Sequence, residues 1–325
     1  MRHAAIIGTG SYAPENVMTN DDLSDLVETS DEWISSRTGI RERRISTGEN
    51  TSDLAYEASV RALENAALKP EDLDLIICAT ITPDSFMPAV ACIVQDRLGA
   101  VRAAAFDLTA ACTGMIYGIV TADQFIRTGM YQHVLVVGAE TLSKVLDWDD
   151  RATCVLFGDG AGAVVLSAVE DSRGIWASAL SSDGSKQDFL TCPAIPLSNP
   201  YVIPPLETPS AKIKMQGQEV FKYAVRTVTE SINTVLDSTG LTIGQIKYII
   251  PHQANKRIIE QAAKFSDIPI EKFFMNLDRY GNTSAASIGI ALDELQQLKL
   301  LEKGDKIIMT GFGGGMTSGA VLLEM

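Results

Sequence analysis

Histidine is scarce in this chain of 325 residues, with only His3, His133 and His252, and aromatic residues make up 6% of it. Neither CxxC nor HxxxH spacing occurs, which argues against a metal site of the common structural zinc type. The five cysteines (Cys78, Cys92, Cys112, Cys154, Cys192) are odd in number and unclustered. That pattern suits a reducing cytoplasm and argues against a disulfide framework. No apolar run reaches the roughly 20 residues a membrane helix needs. The start, Met1-Arg2-His3-Ala4-Ala5-Ile6-Ile7, lacks the apolar core of a signal peptide. Positive charge is in deficit, since 27 Lys and Arg face 41 Asp and Glu, a net charge of −14. A field of that sign repels nucleic acid and anionic lipid, so neither is expected as a primary partner, and an acidic ligand needs a local basic patch. With 46% hydrophobic and 21% charged residues, the chain reads as globular, long enough for two lobes or one large domain.

Apolar periodicity divides the chain into two halves with the same order of parts. In the first, Tyr56, Val60, Leu63 and Ala67 mark an amphipathic helix, followed by a buried strand over Leu73–Ala79. A strand over Ala103–Asp107, an apolar helix over Thr113–Ile126, and strands over His133–Val137 and Ala161–Leu166 complete the series. In the second, Phe221, Val225, Val228, Ile232 and Val235 step by four and three, a helix ending near Gly240. Strands follow over Ile246–Ile250 and Phe273–Leu277, then a helix to about Leu298 and strands over Lys306–Thr310 and Gly319–Leu323. Phe157-Gly158-Asp159-Gly160 and Phe312-Gly313-Gly314-Gly315 precede matching apolar strings, which points to an internal duplication. Strands apolar throughout and separated by helices indicate sheets covered on both faces, hence an α/β/α/β/α layered body of halves 1–172 and 173–325. A proline-rich stretch over 181–210 breaks the rhythm as a surface excursion or lid.

Chemistry belongs at strand-to-helix loops where the halves meet. Cys112 lies between a strand and the most apolar helix, among the small residues Ala110, Ala111 and Gly114. A helix N-terminus there favours a thiolate, while cysteine in such a place is also commonly inert packing. His252 ends a buried strand in Pro251-His252-Gln253-Ala254-Asn255, as a hydrogen-bonded core histidine or a site residue. Asn282, in Gly281-Asn282-Thr283-Ser284, is either a helix N-cap or the counterpart of Cys112 in the second half. The run Gly311-Phe312-Gly313-Gly314-Gly315 lacks a nucleotide-loop pattern, but its backbone N–H groups suit an oxyanion hole.

In this order these four strings resemble β-ketoacyl-acyl carrier protein synthase III, a family of thiolase-fold condensing enzymes. Asp31-Glu32-Trp33-Ile34, Arg37-Thr38-Gly39-Ile40-Arg41-Glu42-Arg43 and Phe157-Gly158-Asp159-Gly160-Ala161-Gly162-Ala163 look like the same family, and the resemblance spans nearly the whole chain. It implies a duplicated thiolase-like fold, Cys112 as nucleophile toward an acyl-CoA primer, and His252 and Asn282 as donors during decarboxylation of malonyl-acyl carrier protein. It further implies Gly314 in the oxyanion hole, Phe312 as an apolar gate beside the nucleophile, and Trp33, Arg37 and Arg151 as the CoA site. Met87, before Pro88, matches a position that walls the acyl pocket of the other subunit in a homodimer. Lys222, Lys256, Arg257 and Lys264 are the candidates for docking an acidic carrier protein. No metal and no cofactor are implied beyond the CoA thioester as substrate, and the default primer is short, such as acetyl. A starter-unit acyltransferase and a non-catalytic thiolase-fold subunit are the competing readings, against which the full His252/Asn282 pair and the presence of Cys112 respectively argue.

Overall fold

The alternation of apolar side chains within short strands sets the layers. The structure, a computed structural model, describes residues 3–171, 173–202 and 211–325. Short pieces aside, the first half runs β1 (His3–Tyr12), α1 (Thr51–Ala66), β2 (Leu75–Ala79), α2 (Val90–Leu98), β3 (Ala104–Leu108), α3 (Gly114–Arg127), β4 (His133–Glu140) and β5 (Gly160–Val169). The second runs β6 (Gly174–Ser182), α4 (Gly217–Thr239), β7 (Tyr248–Pro251), α5 (Lys256–Phe265), α6 (Ala286–Gln297), β8 (Lys306–Gly313) and β9 (Thr317–Glu324).

One sheet has the order β1-β5-β4-β2-β3 and the other β6-β9-β8-β7. In the first sheet β4-β2 and β2-β3 pair parallel and β1-β5 and β5-β4 antiparallel; in the second β8-β7 pairs parallel and β6-β9 and β9-β8 antiparallel. Beside β7, where the first sheet has β3, the second has only a parallel bridge from Ile249 to Phe273. Leu75, Ile77, Val134 and Val136 point to a central layer formed by α3 and α6, together with Ile250, Ile307 and Met309 of the second sheet. Their neighbours Ile76, Cys78, Leu135 and Val137 point the other way, onto α1 and α2. Ile249, Ile308 and Leu322 pack on α4 and α5. The result is the expected α/β/α/β/α stack. Both faces of each sheet are covered at its inner strands, and each fully buried Leu or Ile there contributes roughly 1.5–3 kcal/mol. Among the described residues no helix is long and apolar enough to cross a membrane.

Three local expectations change. Phe273–Leu277 is not a strand: a 3-10 turn covers Ile270–Lys272 and a short helix Leu277–Tyr280. The buried Gln253 side chain takes the backbone groups a ladder would have used, donating to Pro251 O at 2.8 Å and Phe274 O at 3.2 Å and accepting from Asn276 N at 3.0 Å. Two strands were absent from the periodicity reading. β1 carries Gly8 and Gly10 because α1 lies directly on it; a Cβ at Gly10 would sit 2.3 Å from Ala58 O. β6 is half-solvated and weakly apolar. The proline-rich stretch begins inside β6, and Leu190–Thr191 then pairs with Lys214–Met215. Pro204, Pro205 and Pro209 lie outside the described residues.

Candidate active site

Cys112 sits at the turn from β3 into α3. Ala111 adopts a left-handed conformation (φ +46°), and a 3-10 turn over Ala111–Thr113 feeds straight into the helix. Cys112 is 6% exposed and lines a cavity of about 1190 Å³. A thiolate at a helix N-terminus was the expectation, but burial dominates and pushes the Cys112 thiol up to about 12. The nearby Ser284 hydroxyl acts in the opposite direction, and the charge of Glu140 adds to the rise. The resting nucleophile is a neutral thiol.

The hairpin between β8 and β9 holds this turn from the other half. Thr113 Oγ1 donates to Ala110 O at 2.7 Å and lies 2.7 Å from Thr317 Oγ1. Gly313 packs directly on the nucleophile, where a Cβ would lie 2.7 Å from Cys112 N. Gly313→Ala is therefore expected to displace Cys112, lowering its acylation rate by roughly 10²-fold and costing about 1–3 kcal/mol of stability. Rapid-quench acylation and a thermal melt of the same variant check both effects. Gly314 lines the cavity with Cys112, and its carbonyl accepts from Thr317 Oγ1 at 3.3 Å.

His252 follows β7 directly, its N–H bonded to Thr310 O at 2.8 Å. Its ring meets the edge of Phe312 at 5.5 Å and 68°, one residue before the glycine on Cys112. Burial pushes the imidazole down to about 3, so it stays neutral through the physiological range. Nδ1 lies 2.7 Å from Ser287 Oγ, which also accepts the Gln253 N–H at 3.3 Å. The simplest proton assignment directs the Ser287 hydroxyl hydrogen to Nδ1 and leaves the ring hydrogen on Nε2. Ser287→Ala leaves a buried ring nitrogen without this partner, at a cost of about 1–3 kcal/mol. It is expected to slow decarboxylation about tenfold with acylation nearly unchanged, which assays of the two half-reactions separate.

Asn282 is held by its own backbone: its N–H donates to Leu156 O at 2.8 Å and its carbonyl accepts from Gly158 N at 3.0 Å. The side-chain Oδ1 accepts the Ser284 N–H at 2.9 Å, so the group offered beyond its own loop is the amide N–H₂. Ser284 and Phe157, the two ends of this arrangement, both line the Cys112 cavity. Loops from both halves thus converge on one wall.

The other expected residues lie elsewhere. Arg37 and Arg151 place their guanidinium carbons 4.7 and 5.1 Å from the Trp33 ring, and Arg151 Nη1 donates to Glu28 O at 2.7 Å. This cluster does not line the Cys112 cavity. Ser85 and Phe86 reach that cavity, whereas Met87 is 85% exposed. Lys256, Arg257 and Lys264 stand exposed on α5, with Lys256 3.6 Å from Glu260 and its stem against Gly39, which caps the short helix Asp31–Thr38 that carries Trp33. Lys222, on α4, is tied to Glu219 at 2.7 Å. Sequence reasoning missed Gly313, Ser284, Ser287 and Glu140. For Glu140 one signal existed: a single carboxylate ending an otherwise apolar strand.

The family profile described as 3-oxoacyl-[acyl-carrier-protein] synthase III matches residues 106–184, and the C-terminal profile of that family matches 236–325. The β-ketoacyl-[acyl-carrier-protein] synthase III of Clostridium acetobutylicum is 56% identical over 324 residues, covering 100% of this chain and 99% of that protein. The crystal structure of 3-oxoacyl-[acyl-carrier-protein] synthase III from Aquifex aeolicus superposes with a TM-score of 0.93 at 48% identity, covering 99% of this chain and 100% of that one. The corresponding Pseudomonas aeruginosa structure gives 0.92 at 42% identity, over 99% and 98% of the two chains. With both halves matched and full-length relatives above half identity, the chain belongs to the 3-oxoacyl-[acyl-carrier-protein] synthase III family, the condensing acyltransferases of fatty acid synthesis.

Proposed function

We propose that this enzyme condenses a short acyl-CoA primer, acetyl by default, with malonyl-acyl carrier protein, releasing CoA and carbon dioxide and forming 3-oxoacyl-acyl carrier protein in the cytoplasm. The observation that carries this reading is the chemical character of the wall around Cys112. Cys112 lines the cavity with Ser284 and Phe157, the hydrogen-bond and bridge partners of Asn282, and Gly313, packed on Cys112, follows the Phe312 that meets the neutral His252 ring.

The reaction runs in two halves. Cys112 attacks the primer thioester, CoA departs, and the acyl group stays on sulfur, which gives ping-pong kinetics. Malonyl-acyl carrier protein then enters and loses carbon dioxide, leaving an enolate. Decarboxylation itself generates the carbon nucleophile, so no strong base is required. The enolate oxygen needs donors that add no fixed charge, a role for His252 Nε2–H and the Asn282 amide. Phe312, buried against His252, offers the malonyl carboxylate an apolar wall that favours its departure as neutral carbon dioxide. The carbanion attacks the Cys112 thioester, and backbone N–H groups at Cys112 and Gly314 take up the tetrahedral oxyanion.

Trp33, Arg37 and Arg151 form the adenine and phosphate end of the CoA site. The ring–guanidinium stack supports this, with adenine entering between indole and Arg151. Lys222, Lys256, Arg257 and Lys264 receive the acidic carrier protein. This role is supported by their exposure and by the placement of Lys256 against the Trp33 helix. The chain works as a homodimer in which Met87 reaches the acyl pocket of the other subunit, a reading supported by the exposure of Phe86 (76%) and Met87 (85%) on one tip. Halves 1–172 and 173–325 act as the two thiolase-like units.

Release of carbon dioxide from carboxyl-labelled malonyl carrier protein, measured with acetyl, branched and medium-chain CoA, tests the whole reading. Primer-dependent release with acetyl-CoA fastest is the expected result. Acyl transfer without release would reduce the protein to a starter-unit acyltransferase.

A further inference from the structure

Behind the Cys112 wall lies a carboxylate that the condensation does not use. Glu140, at the end of β4, is fully buried. It accepts from Thr82 Oγ1 at 2.6 Å, Thr80 Oγ1 at 3.1 Å and Ile81 N at 3.1 Å. These donors are themselves aimed. Thr82 Oγ1 accepts the Thr141 N–H at 2.9 Å, and Thr80 Oγ1 accepts the Thr82 N–H at 3.1 Å, so each hydroxyl proton is directed to the carboxylate. Thr80, Ile81 and Thr82 also line the Cys112 cavity, so this cradle is part of the same wall.

Ser284 lines the same cavity as Cys112 and the Thr80–Thr82 cradle of Glu140. It is held in a left-handed conformation (φ +48°), and its hydroxyl lowers the pKa of both the Cys112 thiol and the Glu140 carboxyl. Yet Ser284 Oγ is buried and makes no completed hydrogen bond within the described residues, so its rotor is free to turn to either side. We propose that Ser284 passes the Cys112 proton to Glu140 as the sulfur attacks the primer. This deepens the function proposed above and rests on it.

The step balances as follows. The Cys112 S–H bond breaks and its proton moves to Ser284 Oγ, while the Ser284 proton forms an O–H bond on Glu140. The sulfur adds to the thioester carbonyl, the tetrahedral adduct expels CoA as a thiolate, and that thiolate takes back the proton held by Glu140. The enzyme is left acylated, CoA leaves as a thiol, and Glu140 is a carboxylate again. The relay has an electrostatic reason. Two negative charges in one buried wall oppose each other, whereas moving one proton between them keeps a single charge throughout. Burial pushes Glu140 up to about 7, close to working pH, where a general base is most effective. His252 is too weak a base for the task, having been pushed down to about 3. The other titratable groups that feel Glu140 are Cys78 and Cys192, both raised by burial, and Lys144, lowered by burial. Lys144 donates to Thr82 O at 3.3 Å and lines the same cavity.

The test is the pH profile of single-turnover acylation by acetyl-CoA, with decarboxylation by the pre-acylated enzyme measured in parallel. The wild-type acylation rate is expected to rise with a midpoint near 7 and then level off. Glu140→Gln is expected to lose that rise and to fall roughly 10²-fold or more on the plateau, with decarboxylation changed little. Ser284→Ala, which keeps the cradle intact, is expected to do the same, and it carries the test if Glu140→Gln fails to fold. A purely structural Glu140 would instead slow both half-reactions together and keep the midpoint. That result, or acylation by either variant at the wild-type rate, overturns the relay while the proposed function stands. A wild-type enzyme that takes no acyl group from CoA overturns both.

Discussion

Cys112→Ala is expected to abolish transfer of the primer onto the protein, with a loss of roughly 10⁴-fold or more in condensation, the scale on which deleting a covalent nucleophile acts. The substitution removes one sulfur from the wall of a cavity, so it opens little new void and leaves the turn at Ala111 in place. The melting temperature is therefore expected to stay close to wild type, which separates lost chemistry from lost folding. Intact-mass measurement after incubation with labelled acetyl-CoA reads the result directly. Equal acylation of wild type and variant would remove Cys112 from the mechanism. Cys92, exposed on α2, is the internal control, because nonspecific acylation of a surface thiol would persist in the variant.

Asn282→Ala carries the second large effect and divides the reaction. Its amide is offered to the enolate only in the second half-reaction, so self-acylation is expected to remain within a few-fold of wild type. Decarboxylation is expected to fall roughly 10²–10³-fold, the usual effect of deleting one donor to a developing oxyanion. Substitution also leaves the Ser284 N–H without its Oδ1 acceptor, at a cost of about 1–3 kcal/mol. The melt and both half-reactions therefore need to be measured on one preparation. His252→Ala is less clean, because it also removes the ring packed on Phe312 at 5.5 Å. A fall in acylation as large as the fall in decarboxylation would show that Asn282 serves the fold of the site rather than the enolate.

Much of this molecule was legible before any coordinates. Each of the helices read from periodicity exists, and the two halves repeat one strand order because the same apolar pattern was written twice. The failures have identifiable physics. Phe273–Leu277 has strand composition, but the buried Gln253 amide, a residue 20 or more positions away, takes up its backbone groups. β1 carries two glycines that weaken a strand pattern and are required by a helix lying on it. At the nucleophile, position in the chain suggested a thiolate, while burial holds the proton on sulfur. Gly314 was singled out from a run of three glycines, yet Gly313 is the one without space for a side chain against Cys112.

The sequence by itself determined the layered class, the order of most of its elements and the choice of Cys112, His252 and Asn282 as the residues to follow. These depend on local periodicity and on short strings, which folding does not alter. Only the tertiary structure decided what state those groups are in. The neutral thiol, the imidazole directed by Ser287, and the Glu140 carboxyl cradled by Thr80 and Thr82 all come from contacts between loops of different halves or different strands, and from the removal of water around them. Acidity and hydrogen-bond direction are set by what surrounds a group in space, and no spacing along the chain encodes that.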